Sequence, residues 1–110
     1  MNKIKVYVAG PYTKGNVEHN VNKAIYISDL MLELGLHPYC PHLCHFHHIK
    51  YPQEYNVWLE LVMAFMEKCD VVFRIEGESE GADLEVQRAN ELGIPVFNDF
   101  KSLVKYVDSL

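Results

Sequence analysis

One nearly uninterrupted β-prone run, Ile4-Lys5-Val6-Tyr7-Val8-Ala9, stops at Gly10-Pro11 and hands over to helical periodicity, and it constrains the fold more than any other feature. A strand that is apolar on both faces must be covered on both, which is the condition of a central strand in a parallel sheet. After the loop Tyr12 to Asn16, apolar residues Val17, Val21, Ala24, Ile25, Ile27, Leu30, Met31 and Leu34 recur at helical spacing, and Gly35 follows as a C-cap. The spacing predicts a helix of about five turns. Leu36 to Cys40 reads as a second strand, which Pro38 pushes to an edge or a bulge. Pro41 to Pro52 holds four histidines and two prolines without a clean period, and a long loop is expected there. Gln53 to Lys68 is amphipathic, Val71 to Ile75 reads as a strand, and Glu76 to Glu80 as a turn. Gly81 to Leu92 reads as a helix closed by Gly93, Ile94 to Phe97 as a strand, and Phe100 to Val107 as a last helix. Strands separated by helices imply right-handed crossovers and an α/β fold with a parallel sheet of about four or five strands.

Length and composition narrow the function classes. The chain has 110 residues and is 49% hydrophobic, which suits one packed domain over 1–110 that needs no disulfides. Cys40, Cys44 and Cys69 are an odd number, and no cationic start leads into an apolar export segment, so a reducing, cytoplasmic setting is expected. Charge interrupts every apolar stretch well before the ~18 residues of a membrane span, and no membrane partner is expected. A formal net charge of −5 argues against a nucleic-acid polymer, which needs clustered Lys and Arg. The expected partner is a small molecule.

In an open α/β sheet, ligands bind beyond the carboxyl ends of the strands, which directs attention to Gly10–Asn16, Pro41–Pro52 and Glu76–Glu85. The backbone N–H groups of the first segment, with the helix dipole behind them, could hold an anion such as phosphate. Without a dinucleotide fingerprint or Walker spacing, the same segment also reads as an ordinary strand-to-helix turn. Gly77-Glu78-Ser79-Glu80-Gly81 matches the G-x-S-x-G elbow, but a hydrolase of that class needs a later histidine, and the last one is His48. Cys40, His42, Cys44, His45, His47 and His48 form a dense set of potential zinc ligands. They lack the second, distant ligand pair of a structural site, so no metal is expected; the segment reads instead as a cover for the ligand, with Tyr39, Phe46 and Tyr51 as its aromatic residues, or as plain loop histidines. In Gly81-Ala82-Asp83-Leu84-Glu85, small residues clear space at a helix start, and Glu85 faces back toward the site about one turn in. The helix dipole is expected to keep that carboxylate ionised, suiting a nucleophile or an oxocarbenium stabiliser; a solvated first-turn glutamate is the plainer alternative.

Taken together, Val6-Tyr7-Val8-Ala9-Gly10-Pro11-Tyr12, the Trp58 region ending at Cys69-Asp70-Val71-Val72, and Ser79-Glu80-Gly81-Ala82-Asp83-Leu84-Glu85 resemble the nucleoside 2-deoxyribosyltransferase superfamily, in order and over nearly the whole chain. The likeness is nearest to short phage-type members of unassigned function and to the branch that hydrolyses deoxynucleoside 5′-monophosphates. It implies a three-layer, flavodoxin/Rossmann-like parallel sheet with flanking helices, no cofactor, and a homo-oligomer, for which Trp58, Met63, Phe65 and Met66 supply surplus apolar surface. By the resemblance, Glu85 matches the glutamate that attacks C1′ of the sugar, and Tyr7 matches a tyrosine that orients it. Gly10, Pro11, Tyr12 and Lys14 match the loop beneath the sugar-phosphate, and Ser79 matches the serine that the hydrolase branch places in its phosphate pocket. His42, Trp58 and Gly81 complete the expected substrate-binding set. One departure stands out: the family places an aspartate on the helix eight residues before the residue matched by Asp70, and this chain has Val62 there. Two functions therefore stand side by side, an N-glycosidase or deoxyribosyltransferase and a binding module that keeps the pocket without turnover, with a ligand-free structural domain as the third.

Overall fold

The computed structural model describes residues 4–110. Strand β1 (Lys5–Ala9) leads through helix α1 (Val17–Glu33) to β2 (His37–Tyr39). A 3-10 turn at Pro41–Leu43 runs into α2 (Cys44–Lys50), and α3 (Tyr55–Met66) precedes β3 (Val71–Arg74). Helix α4 (Glu80–Leu92), β4 (Val96–Phe97) and α5 (Phe100–Asp108) complete the chain. The strands form one four-stranded sheet in the order β2-β1-β3-β4. Every pairing is parallel, with Tyr7 opposite Tyr39 on one side and Val72 on the other. The edge position expected of the Pro38 strand is where β2 lies.

The period-two alternation of β1 sorts its side chains between two cores. Val6 and Val8 pack with Ala24, Ile27 and Met31 of α1 and Leu103 of α5, whereas Tyr7 and Ala9 pack with Val62 and Met66 of α3 and with Ala82 and Ala89 of α4. The result is three layers, helices on both faces of the sheet. Met66 is fully buried in the second core, and Trp58 and Met63 are half-buried, so of the proposed apolar surplus only Phe65 is exposed. Burying Met66 is worth ~1.5–3 kcal/mol, which is why it faces the sheet rather than a partner.

The histidine-rich stretch expected to be a loop is largely helical. Helix α2 buries none of its residues, so it has no apolar stripe and leaves no period in the sequence. Helix α4 begins at Glu80 with Ser79 as its N-cap, whose hydroxyl accepts from the Ala82 N–H at 3.1 Å.

Candidate active site

Strand order reverses between β1 and β3, and a sheet of this order leaves a crevice outside the carboxyl ends of those strands. The chain passes there at close quarters. A Cβ on Gly10 would lie 2.8 Å from Cβ of Ile75, and one on Gly77, whose φ is +122°, would lie 2.7 Å from Cγ of Pro11. Arg74, at the end of β3, then ties down the connection into α4. Its guanidinium donates to the carbonyls of Ile75 and Gly77, the latter at 2.9 Å, and pairs with Asp83 at 3.0 Å.

The crevice deepens into a cavity of about 450 Å³. Gly10, Tyr12 and Lys14 line it from the β1–α1 loop; His42, Cys44, His45 and His48 from the 3-10 turn and α2; Tyr55, Trp58 and Val62 from α3; and Ser79, Gly81 and Glu85 from the start of α4. Glu85 belongs to the buried stripe of α4, with Ala82 and Ala89 on either side at helical spacing, and is 7% exposed. Tyr7, fully buried on β1, donates its hydroxyl hydrogen bond to the Glu85 carboxylate. The sheet thus grips the one carboxylate that the helix turns inward.

Burial pushes the Glu85 carboxyl up to about 8, from an ordinary 4.5. This corrects the expectation that the helix dipole holds it ionised. The dipole fades within the first turn, and Glu85 lies beyond it, where loss of water dominates. At neutral pH the resting site therefore keeps the proton on Glu85.

Histidines build the opposite wall. The His42 ring is 5% exposed, and its Nε2 lies 2.9 Å from the Pro11 carbonyl, which can only accept, so Nε2 bears the proton and Nδ1 is left without a partner among the described residues. Burial pushes the His42 pKa down, keeping the ring neutral. The Tyr12 hydroxyl meets His45 Nδ1 at 2.7 Å, and the Trp58 indole N–H donates to His48 Nδ1 at 2.8 Å. At the rim, Lys14 and Glu78 pair at 3.5 Å, both well exposed, a contact worth little in water. The thiols are poor nucleophiles: burial raises Cys40 and Cys44, and takes Cys69 up to about 11. Among the described residues, no group of three or more His, Cys, Asp or Glu is placed to hold a metal ion. No helix among them is long and apolar enough to cross a membrane.

Of the residues singled out in the sequence, Gly10, Tyr12, Lys14, His42, Trp58, Ser79, Gly81 and Glu85 share this cavity, and Tyr7 reaches it from the core side. Pro11 does not line it, because its ring packs beneath Gly77 and only its carbonyl is used, by His42. The aromatic cover also differs from expectation. Phe46 and Tyr51 are 51% and 69% exposed and lie off the cavity, and Tyr39 stacks between Tyr7 and Phe65, so Tyr12, Tyr55 and Trp58 supply the aromatic surface. His45 and His48 stood out in the sequence only as potential metal ligands, and Tyr55 and Arg74 did not stand out; the three-residue spacing of His42, His45 and His48 is the signal that places the histidines on one wall.

The four-stranded parallel sheet covered by helices on both faces makes an α/β sandwich with a deoxyribosyltransferase-like fold. The chain is similar to the solved structure of a 2-deoxyribosyltransferase from the psychrotolerant bacterium Bacillus psychrosaccharolyticus, with a TM-score of 0.62 and 18% identity, covering 84% of this chain and 69% of that one. Residues 4–99 match the family described as Domain of unknown function (DUF7768), and the chain belongs to that family. No curated protein matches the sequence.

Proposed function

We propose that the chain cleaves the N-glycosidic bond of a (deoxy)nucleoside or its 5′-monophosphate, by hydrolysis or deoxyribosyl transfer, with Glu85 as nucleophile. The observation that carries this reading is the Tyr7–Glu85 pair at the floor of the switch-point cavity. After Glu85 sheds its proton, the carboxylate attacks C1′ and the bonding pair leaves with the base, which is protonated from solvent. Water or a second base then attacks C1′ and releases Glu85, as in a retaining glycosidase. Tyr7 holds the carboxylate in line through its hydroxyl. Lys14 and the Ser79 turn at the head of α4 form the seat for a 5′-phosphate, a helix N-terminus being suited to an anion.

Incubation with a panel of nucleosides and 5′-monophosphates, with and without an acceptor base, tests this directly. Free base or an exchanged nucleoside supports the proposal, and an inert panel overturns it. The second reading, a binding module without turnover, is favoured by Val62, an apolar side chain on the cavity wall where the resemblance expects an aspartate. Binding without base release selects that reading, and Val62→Asp is then the variant in which activity should appear.

A further inference from the structure

Beside His42, the histidine wall carries a second ring whose hydrogen-bonding sense is fixed by its neighbours, and this one faces the cavity with a donor. The Trp58 indole N–H can only donate, and it lies 2.8 Å from His48 Nδ1. The backbone N–H of Gln53 donates to the same nitrogen at 3.2 Å. A ring nitrogen facing two donors must accept, so in the neutral ring the proton is on Nε2. Nε2–H has no partner among the described residues, and His48 lines the cavity. The His47 and His48 rings both meet the indole edge-on, with centroids 4.9 and 5.8 Å away. Gln53, also on the wall, carries an amide that can turn to offer either sense. His48 offers only a donor.

We propose that His48 determines base specificity, with Trp58 fixing its ring as a donor, so that the cavity selects bases presenting a keto oxygen over bases presenting an amino group at the same position. This rests on the reading of the cavity as a nucleoside or nucleotide site. A keto oxygen accepts the Nε2 hydrogen, whereas an amino group sets N–H against N–H and leaves the wall unpaired. Sites built around such a bond discriminate strongly against ligands that lack it.

The test is calorimetric binding above neutral pH of deoxyinosine and deoxyadenosine, which differ in the keto or amino group at the 6 position and in the proton that the keto base carries on N1, and of their 5′-monophosphates. Wild type, Trp58→Phe and His48→Ala are compared, and 15N NMR of labelled histidine reads the His48 tautomer. Wild type is expected to carry the Nε2–H tautomer and to prefer the keto compounds by ~10-fold or more. In Trp58→Phe only the longer Gln53 N–H contact still faces Nδ1, so the Nε2–H tautomer should lose population and the preference should weaken; in His48→Ala it should shrink to within about 3-fold, the loss of one fixed hydrogen bond. His48→Ala keeps the comparison available if Trp58→Phe fails to fold. Binding without keto preference, a preference unchanged in His48→Ala, or an Nδ1–H tautomer in wild type overturns this proposal alone. Failure of wild type to bind any of the compounds overturns the reading of the cavity as a nucleoside site, and this proposal with it.

Discussion

Replacing Glu85 by Gln keeps the shape of the side chain and removes its titration, and the buried setting makes that removal measurable in stability as well as in rate. The carboxyl titrates at 4.5 in an ordinary setting and at about 8 in the fold, so between these values the folded chain holds a proton that the unfolded chain has lost. Stability from this group is complete below the lower value and is lost as pH rises through the upper one. Each pH unit in the window costs ~1.4 kcal/mol, giving about 3 kcal/mol by neutrality and about 5 kcal/mol across the whole window as an upper limit. For a domain of this size, 3 kcal/mol corresponds to a Tm change on the order of 12 °C. Glu85→Gln lacks this pH dependence. Thermal unfolding of both proteins across the window should therefore show wild type losing ground steadily to the variant, other titrations cancelling in the difference. A difference flat to within ~0.5 kcal/mol would refute the assignment of a buried, proton-holding carboxyl. The same variant should lose base release by orders of magnitude, and retention of more than about a tenth of the wild-type rate, a loss below ~1.4 kcal/mol, would mean that Glu85 is not the nucleophile. Wild-type kcat/KM should rise with pH and level off near about 8 as the free enzyme's carboxyl ionises.

Tyr7→Phe removes the one hydroxyl bonded to Glu85, and should shift the alkaline midpoint of the kcat/KM profile further upward while costing ~1–3 kcal/mol in chemical denaturation. Arg74→Ala frees the Ile75 and Gly77 carbonyls and Asp83, and is expected to destabilise by ~1–3 kcal/mol and to speed hydrogen exchange at the Ala82 amide; an unchanged exchange rate would remove its role in anchoring α4. Gly77→Ala meets both a positive φ and the Pro11 ring, and urea titration should show a loss of ~1–3 kcal/mol.

The sheet was legible because β1 and β3 are apolar on both faces and α1 repeats its apolar residues cleanly over its length. Helix α2 was not, since it buries nothing and its histidines read as loop. Glu85 was identifiable as a candidate by resemblance and by its place among small residues. Its proton was not, because the dipole argument considered only its own helix. What raises the carboxyl is the loss of water at the sheet face that Tyr7 covers, a consequence of tertiary packing between residues 78 positions apart. Arg74 was equally hidden. Its three partners lie within nine residues, but only the turn after β3 brings them to one guanidinium.

Helix α2 supplies a cavity wall while burying none of its own residues, so its hold on the rest of the protein is through side-chain tips such as Tyr12–His45 and Trp58–His48. Segments with so little buried apolar surface open locally at far lower free energy than the strands beneath them. A ligand held between α2 and the α4 side must close that opening before it is fully bound, and part of its binding energy goes into ordering the helix. Affinity and the protection of the α2 amides are then two readings of one equilibrium, and any substitution that stiffens α2 without touching the ligand should tighten binding.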